Sequence, residues 1–300
     1  MEYSVDKERT SLIRKIGNLI SRPISARPLF GRESLGEAGQ IRRSAGVPDD
    51  PVTALLRRIG SVGVLLGRTV VMLFNARCDK GESWKVAYRF TNGSAVFVVI
   101  AMAFVGMIMV YQSTEQLNRA VGDTTLVGAS FLKLLVRVLG PTVIGMLLAC
   151  RVGAGIAAEI GAMAVTDQLD AKRMCAADPV EVLMVPRLRG GILAALTLTI
   201  IGCFAAVIAG MYTGLAWFGM SPATYFNFSL IATVDTVQGL AKAFSYGVAV
   251  PIVSGACGLA AWGGARGVGQ ATTDAVVGSS FVIVMLDSVI SLIAYMVSPS

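Results

Sequence analysis

The side chains that could do chemistry in this sequence fall into two groups. One group consists of ionisable residues inside long apolar runs: Arg137, Lys242 and Asp287. The other is a charged segment between two apolar runs, residues 159–189, with four Lys or Arg and five Asp or Glu. The chain contains no histidine, which excludes histidine triads, histidine zinc sites and a HExxH protease helix. Together with the lack of clustered carboxylates in the apolar runs, this argues against an enzyme that acts on lipids.

Two other chemical signals are absent from the sequence. It contains no GxxxxGK[ST] phosphate loop, so the chain is not itself an ATPase of that class. The five cysteines are scattered, with no pair at metal-ligand spacing, and we interpret them as free thiols. They are Cys78, Cys150, Cys175, Cys203 and Cys257.

The composition indicates an integral membrane protein. Of the 300 residues, 54% are hydrophobic and only 15% charged, whereas soluble domains carry about a quarter charged residues. The net charge of +7 comes from residues 1–92, which hold 16 basic and 9 acidic residues, while residues 93–300 hold 10 of each. A basic segment before the first apolar run fits the positive-inside rule better than a nucleic-acid site. We therefore predict a cytoplasmic N-terminus and no nucleic-acid partner.

The chain divides into three parts. Residues 1–50 are rich in Arg, Ser, Gly and Pro, and we predict a disordered, basic cytoplasmic tail. Residues 51–92 are predicted to form an interfacial amphipathic helix, because Arg57 and Arg68 share one narrow face of a helical wheel. The alternative is a first membrane span interrupted by charges. Residues 93–300 form the predicted transmembrane domain.

Five membrane spans are predicted, so the fold class is an all-α integral membrane protein. The uncharged run of residues 93–114 is long enough to cross a hydrocarbon core of about 30 Å. Within the second span Arg137 needs a partner, water or a cavity. Residues 217–234 read as an external loop, although two crossings there are the alternative. The predicted spans are residues 93–114, 125–158, 190–217, 240–262 and 275–297, which place the C-terminus outside.

The charged segment between spans 2 and 3 has the features of a short helix. Thr166 is the predicted N-cap, Asp167 and Asp170 occupy the first turn, and Asp178 with Pro179 ends the helix. The alternative is a well-capped solvent helix without a partner. Just before it, small residues at helical spacing allow close helix packing, which by itself carries no specific function.

Two segments of this sequence resemble the signatures of one family. Residues 151–187 read RVGAGIAAEIGAMAVTDQLDAKRMCAADPVEVLMVPR, and residues 264–277 read GARGVGQATTDAVV. Both closely resemble the signature segments of the MlaE/YrbE permease family, the membrane subunits of ABC transporters that move lipids in bacterial envelopes. The resemblance covers about residues 52–300.

The resemblance implies a multi-pass permease of the bacterial inner membrane. It would move phospholipids or related lipids between that membrane and an external MCE-domain lipid carrier. A separate cytoplasmic ATPase would hold ATP and Mg²⁺, so this chain would bind no cofactor or metal. A second permease copy or a paralogue would complete the dimer. The alternative function is an ATP-independent secondary transporter of a lipid or amphiphile.

The resemblance also implies roles for particular residues. A coupling helix at about residues 166–176 would seat in the ATPase. The residues expected to dock this helix or to fix the connection between spans 2 and 3 are Glu159, Thr166, Asp167, Gln168, Asp170 and Asp178. Residues expected to shape the packing are Gly153, Gly155, Gly161, Pro179, Pro186, Gly267, Gly269 and Asp287, the last through a buried polar contact between spans.

Two basic residues are candidates for the substrate path. The family's arginine at the position of Arg137 is commonly followed by glutamate, whereas Val138 follows here, which puts in doubt any role that needs this acid. Lys242 resembles a basic position of the family and would meet a lipid phosphate. The alternative role for Lys242 is an anchor at the membrane interface.

Overall fold

The structure is a computed structural model that describes residues 80–120, 127–174, 179–226 and 232–297. The predicted tail of residues 1–50 lies outside the described residues, as does the amphipathic stretch of residues 52–77. The described residues form eleven helical elements in this order: α1 (Lys80–Ala120), α2 (Val127–Leu134), a first π-helical turn (Leu135–Leu139), α3 (Gly140–Leu148), a second π-helical turn (Ala149–Gly153), α4 (Ala154–Val165), α5 (Gln168–Met174), α6 (Pro179–Phe218), α7 (Pro222–Tyr225), α8 (Thr233–Leu259) and α9 (Ala265–Val297).

Five of these helical stretches are long and apolar enough to cross a membrane, which confirms the predicted five-span, all-α fold. Span 1 is α1, span 2 runs from α2 to α4, and spans 3, 4 and 5 are α6, α8 and α9. The short helix α5 lies in the connection between spans 2 and 3, which we call the elbow. The end of the bundle where it lies is the elbow end.

The helices extend beyond the predicted spans. The helix of span 1 begins at Lys80 rather than residue 93, and span 4 begins at Thr233 rather than residue 240. At about 1.5 Å per residue, the 41 residues of α1 reach roughly 60 Å, twice the hydrocarbon thickness. An uncharged run therefore marks the part of a helix inside the bilayer and misses its polar ends.

Span 2 is interrupted by two π-helical turns. In the first, the Gly140 backbone N–H donates to the carbonyl of Leu135, five residues back. Pro141 follows and has no N–H to donate, so the wider turn accommodates the break in the α-helical pattern. Each π-helical turn contains an arginine, Arg137 in the first and Arg151 in the second.

Helices α1 and α6 lie side by side and run in parallel. Gly190 sits against Val86, Gly106 against Ala206, and Gly210 against Val110, so the contact extends along most of both helices. Glycines at these positions let the two backbones approach, which is the usual basis of helix association in lipid.

Spans 2, 4 and 5 form a second tightly packed group. Gly153 at the end of the second π-helical turn faces the buried Ser254 of α8, and Ser254 lies 3.4 Å from Ser279 of α9. Ile156 and Ile160 of α4 are fully buried in the same region. Small residues and apolar side chains thus fill the space between these three spans.

Exposed aromatic rings lie near both ends of the long helices. Tyrosine and tryptophan prefer the membrane interface, where an apolar ring meets polar headgroups. At the elbow end these residues are Trp84, Tyr88 and Trp262, and at the opposite end they are Tyr212, Trp217 and Tyr295. The two sets are consistent with helices that cross one bilayer.

The close approach of α1 and α6 gives a direct test of the packing. A Cβ at Gly106 would collide with the backbone carbonyl of Ala206, whereas a Cβ at Gly93 of the same helix meets no atom within 4 Å. We expect Gly106→Ala to lower the free energy of unfolding by about 1–3 kcal/mol and Gly93→Ala to leave it unchanged or to raise it, because alanine is the better helix former. Reversible unfolding in mixed detergent micelles measures both, and equal stability of the two variants would contradict the packing.

Candidate functional site

The elbow begins with a sharp turn between α4 and α5. Thr166 ends α4, and its hydroxyl donates to the Ala162 carbonyl at 2.8 Å. The Asp167 carbonyl accepts the first hydrogen bond of α5, from the Ala171 N–H, so Asp167 and not the predicted Thr166 occupies the N-cap position. Asp167 takes a left-handed backbone conformation with φ of 59°, which Asp tolerates better than most residues. Helix α5 then begins at Gln168.

The short helix α5 presents a polar surface and one apolar anchor. Thr166, Asp167 and Gln168 are exposed, whereas Leu169 is buried. Met174, at the other end of the helix, is 88% exposed. The predicted helix of residues 166–176 is described as Gln168–Met174, and Asp178 lies outside the described residues.

Glu159 lies nearly two turns before the end of α4 and binds two arginines. Its Oε2 accepts a hydrogen bond from Arg187 of α6 at 2.9 Å, and its Oε1 accepts one from Arg89 of α1 at 3.2 Å. Arg187 also donates to the Leu183 carbonyl at 2.9 Å. The carboxylate thus contacts two other spans within this chain. Nothing in the sequence indicates these partners, because they lie 70 and 28 residues away.

A second charged cluster lies inside the bundle, between spans 2, 4 and 5. Lys242 of α8 is fully buried, and its Nζ lies 2.7 Å from Asp287 Oδ1 of α9. That distance is an ion pair, although the contact does not have hydrogen-bond geometry at the ammonium. Asp287 also accepts hydrogen bonds from Thr142 at 2.9 Å and from Tyr246 at 2.8 Å. One carboxylate therefore ties three spans together.

Arg137 has an acidic partner on another span. Its guanidinium lies 3.5 Å from Asp235 Oδ1 of α8, and Asp235 also accepts from the Ala232 backbone N–H at 3.1 Å. Asp235 supplies a carboxylate where Val138 does not. Asp235 is not among the predicted site residues, because it lies before the predicted start of span 4 at residue 240. The helical spacing of Asp235, Gln238 and Lys242 was the available signal, since it sets all three on one face.

A small polar cavity lies beside this pair, at the end of the bundle opposite the elbow. Its volume is about 30 Å³, enough for roughly one or two water molecules. The side chain of Gln238 is buried there, and neither of its amide atoms meets a hydrogen-bond partner among the described residues. The lining residues are Lys133, Arg137, Ala232, Val234, Asp235, Gln238 and Ala294.

The glycines of the signature segments occupy two kinds of position. A Cβ at Gly153 would meet Ser254, and one at Gly161 would lie 3.3 Å from Ala261. A Cβ at Gly155 or Gly269 would have no neighbour within 4 Å. Packing inside this chain therefore accounts for the first two glycines and not for the last two.

Three further residues from the signature segments lie at or inside helices. Gly267 lies in the first turn of α9, where a Cβ would collide with the backbone carbonyl of Trp262. Pro179 is the first residue of α6, where a missing N–H costs nothing, and Pro186 lies inside the same helix.

Comparisons with known proteins agree on one family. The family model described as Permease MlaE matches residues 84–293. A probable ABC transporter permease of Rickettsia conorii is 36% identical over 197 residues, covering 64% of this chain and 76% of the relative. The intermembrane phospholipid transport system permease protein MlaE of Haemophilus influenzae is 30% identical over 254 residues, covering 81% of this chain and 97% of the relative. A probable ABC transporter permease of Synechocystis is 31% identical over 229 residues, covering 76% and 87%.

The buried Lys242–Asp287 pair predicts a difference between single and double variants. Removing one partner leaves an unpaired charge in an apolar region, so we expect Lys242→Met to cost about 3–5 kcal/mol of stability. Lys242→Met combined with Asp287→Leu removes both charges and should recover most of that loss. Unfolding in mixed micelles measures the difference, and a double variant as unstable as the single one would contradict the pairing.

Proposed function

The chain belongs to the MlaE permease family, and we propose that it is the membrane-spanning subunit of an ABC transporter for lipids. It would move phospholipids or related lipids between the inner membrane and an external MCE-domain lipid carrier. The name of the Haemophilus influenzae relative, a phospholipid transport permease, supports the substrate class.

The elbow is the observation that most supports this function. A short helix, with Gln168 and Met174 exposed and Leu169 buried, lies at one end of the bundle between two long spans. A structure of this kind suits docking to a second protein, because it offers polar contacts on a rigid support. The left-handed Asp167 fixes the angle at which α5 leaves α4.

The division of labour follows from what the sequence lacks. Without a GxxxxGK[ST] loop the chain needs a separate ATPase, and that subunit would hold ATP and Mg²⁺. The permease itself would carry no catalytic residue and no cofactor. A second copy or a paralogue of this chain would complete the complex.

The distribution of basic residues supports a cytoplasmic elbow. Lys172, Arg187, Arg189 and Arg266 all lie in or beside the connections at the elbow end, while Arg119 lies near the opposite end of α1. By the positive-inside rule the elbow end would face the cytoplasm, with the last residues of α9 outside.

We place the lipid path near Arg137, at the end opposite the elbow. The Arg137 side chain is 29% exposed and lines the polar cavity beside Asp235, so its guanidinium is accessible to a lipid phosphate, an anion that arginine binds well. Lys242 is fully buried against Asp287, and we assign it to bundle stability instead of headgroup binding.

The docking role of α5 is tested by changing its charge. We expect Asp170→Lys combined with Asp167→Asn to abolish co-purification of the ATPase without unfolding the permease. Asparagine is chosen at position 167 because it also adopts the left-handed backbone. Pull-down from membranes is the measurement, and Glu115→Lys at the opposite end of the bundle is the control.

Two results would contradict this assignment. One is full retention of the ATPase by the double variant. The other is lipid transport that persists when the ATPase carries a defective phosphate loop, which would indicate a secondary transporter.

The substrate path is tested with two arginines of span 2. Arg137→Gln should lower ATP-dependent lipid transfer between liposomes about tenfold, because a charged hydrogen bond to phosphate is lost. Arg151→Gln, in the second π-helical turn near the elbow end, should leave transfer unchanged. Equal transfer by the wild type and the Arg137 variant would overturn the path.

A further inference from the structure

The carboxylate of Glu159 connects three spans at the elbow end. It lies 2.9 Å from Arg187 of α6 and 3.2 Å from Arg89 of α1, and its own helix leads directly into the elbow. We call these three residues the Glu159 bracket.

Apart from the bracket, α4 has little contact with α1 or α6, whereas α1 and α6 pack closely on each other. The backbone of α4 packs against α8 and α9, with little direct contact to α1 or α6. The α1 helix in turn packs mainly on α6. Between α4 and spans 1 and 3, the bracket is therefore the polar side-chain connection that the described residues show, while α5 makes a small contact of its own with α6.

The two halves of the bracket differ in strength. The Arg187 side chain is only 12% exposed and makes a second hydrogen bond to the Leu183 carbonyl, so its position is fixed. Arg89 is 75% exposed, and water competes for an ion pair of that kind. The Glu159–Arg187 contact thus bears most of the mechanical connection, and Arg89 adds a weaker one to span 1.

We propose that the Glu159 bracket transmits movement of the elbow to spans 1 and 3. Glu159 is a positioning residue in this account: it acts through Arg187 and Arg89 and touches neither lipid nor ATPase. The proposal rests on the proposed function, because an ATPase must move the elbow. It distinguishes Glu159 from the residues of α5, which dock the partner.

A second route from α4 to α6 passes through α8. Ile160 of α4 packs on Gly258 and Met184 of α6 packs on Gly255, two positions of one helix. These are apolar contacts that slide more easily than a charged hydrogen bond with fixed geometry. The α8 route keeps the bundle assembled when the bracket is cut, so a bracket variant should fold and still lose coupling.

The test cuts the bracket and measures coupling. Glu159→Gln keeps the size of the side chain and removes its charge. In the reconstituted complex we expect unchanged ATPase co-purification and retained ATP hydrolysis, with lipid transferred per ATP lowered about tenfold. Arg187→Met should act similarly, and the double variant E159Q/R187M should be no worse than E159Q, because Glu159→Gln already removes the ion pair with Arg187. The double variant leaves no unpaired buried charge, so it carries the test if E159Q does not assemble.

A second readout does not depend on the ATPase. Hydrogen exchange of the permease in nanodiscs should rise about tenfold at the amides of residues 80–92 and 183–190 in E159Q. Arg119→Gln, which breaks the exposed Glu115–Arg119 pair of α1, is the control and should change neither readout.

The two readouts separate the possible failures. Unchanged transfer per ATP together with unchanged hydrogen exchange in E159Q would overturn the bracket. Loss of ATPase co-purification by the folded double variant E159Q/R187M would also overturn it, because Glu159 would then be a docking residue. A wild-type chain that retains no ATPase would overturn the proposed function, and the exchange experiment would still decide whether the bracket holds spans 1 and 3.

Discussion

The structure depends on pairing the charges that are buried inside the bundle. An unpaired charged side chain at the centre of a membrane helix costs about 2.5–3.5 kcal/mol or more. The buried ion pair of Lys242 and Asp287 meets this constraint, with Thr142 and Tyr246 bonded to the same carboxylate. Because the four residues come from spans 2, 4 and 5, satisfying the charges also fixes the positions of these three helices.

The same constraint organises the remaining polar groups. Span 4 is the most buried of the five spans. Asp235, Gln238 and Lys242 lie on the face of α8 that is turned into the bundle. At the end away from the elbow, this face carries the Arg137–Asp235 ion pair and the small polar cavity. Further along the helix, it carries the Lys242–Asp287 ion pair. At the elbow end the charge lies on Glu159, where α4 approaches two arginines without close backbone packing. The Lys242–Asp287 cluster would hold spans 2, 4 and 5 in fixed positions, whereas the Glu159 bracket would connect α4 to helices that move with it.

The sequence predicts the architecture well and the pairing poorly. Long uncharged runs identify the five spans, because hydrophobic length is a local property of the chain. Arg137 lies 98 residues from its partner and Lys242 lies 45 residues from its own, while the two partners of Glu159 are 28 and 70 residues away. Helical periodicity does not determine which spans are neighbours. The predicted N-cap is one residue too early: α5 begins at Gln168, so Asp167 and not Thr166 stands at its N-cap.

Under the proposed function, this permease works only in a complex with an ATPase bound at its elbow. Native mass spectrometry of the complex extracted from membranes tests it most directly, because it reports subunits and bound lipid in one spectrum. The account predicts two permease chains, or one with a paralogue, together with ATPase subunits and bound phospholipid. A wild-type permease that leaves the membrane without any ATPase would contradict it.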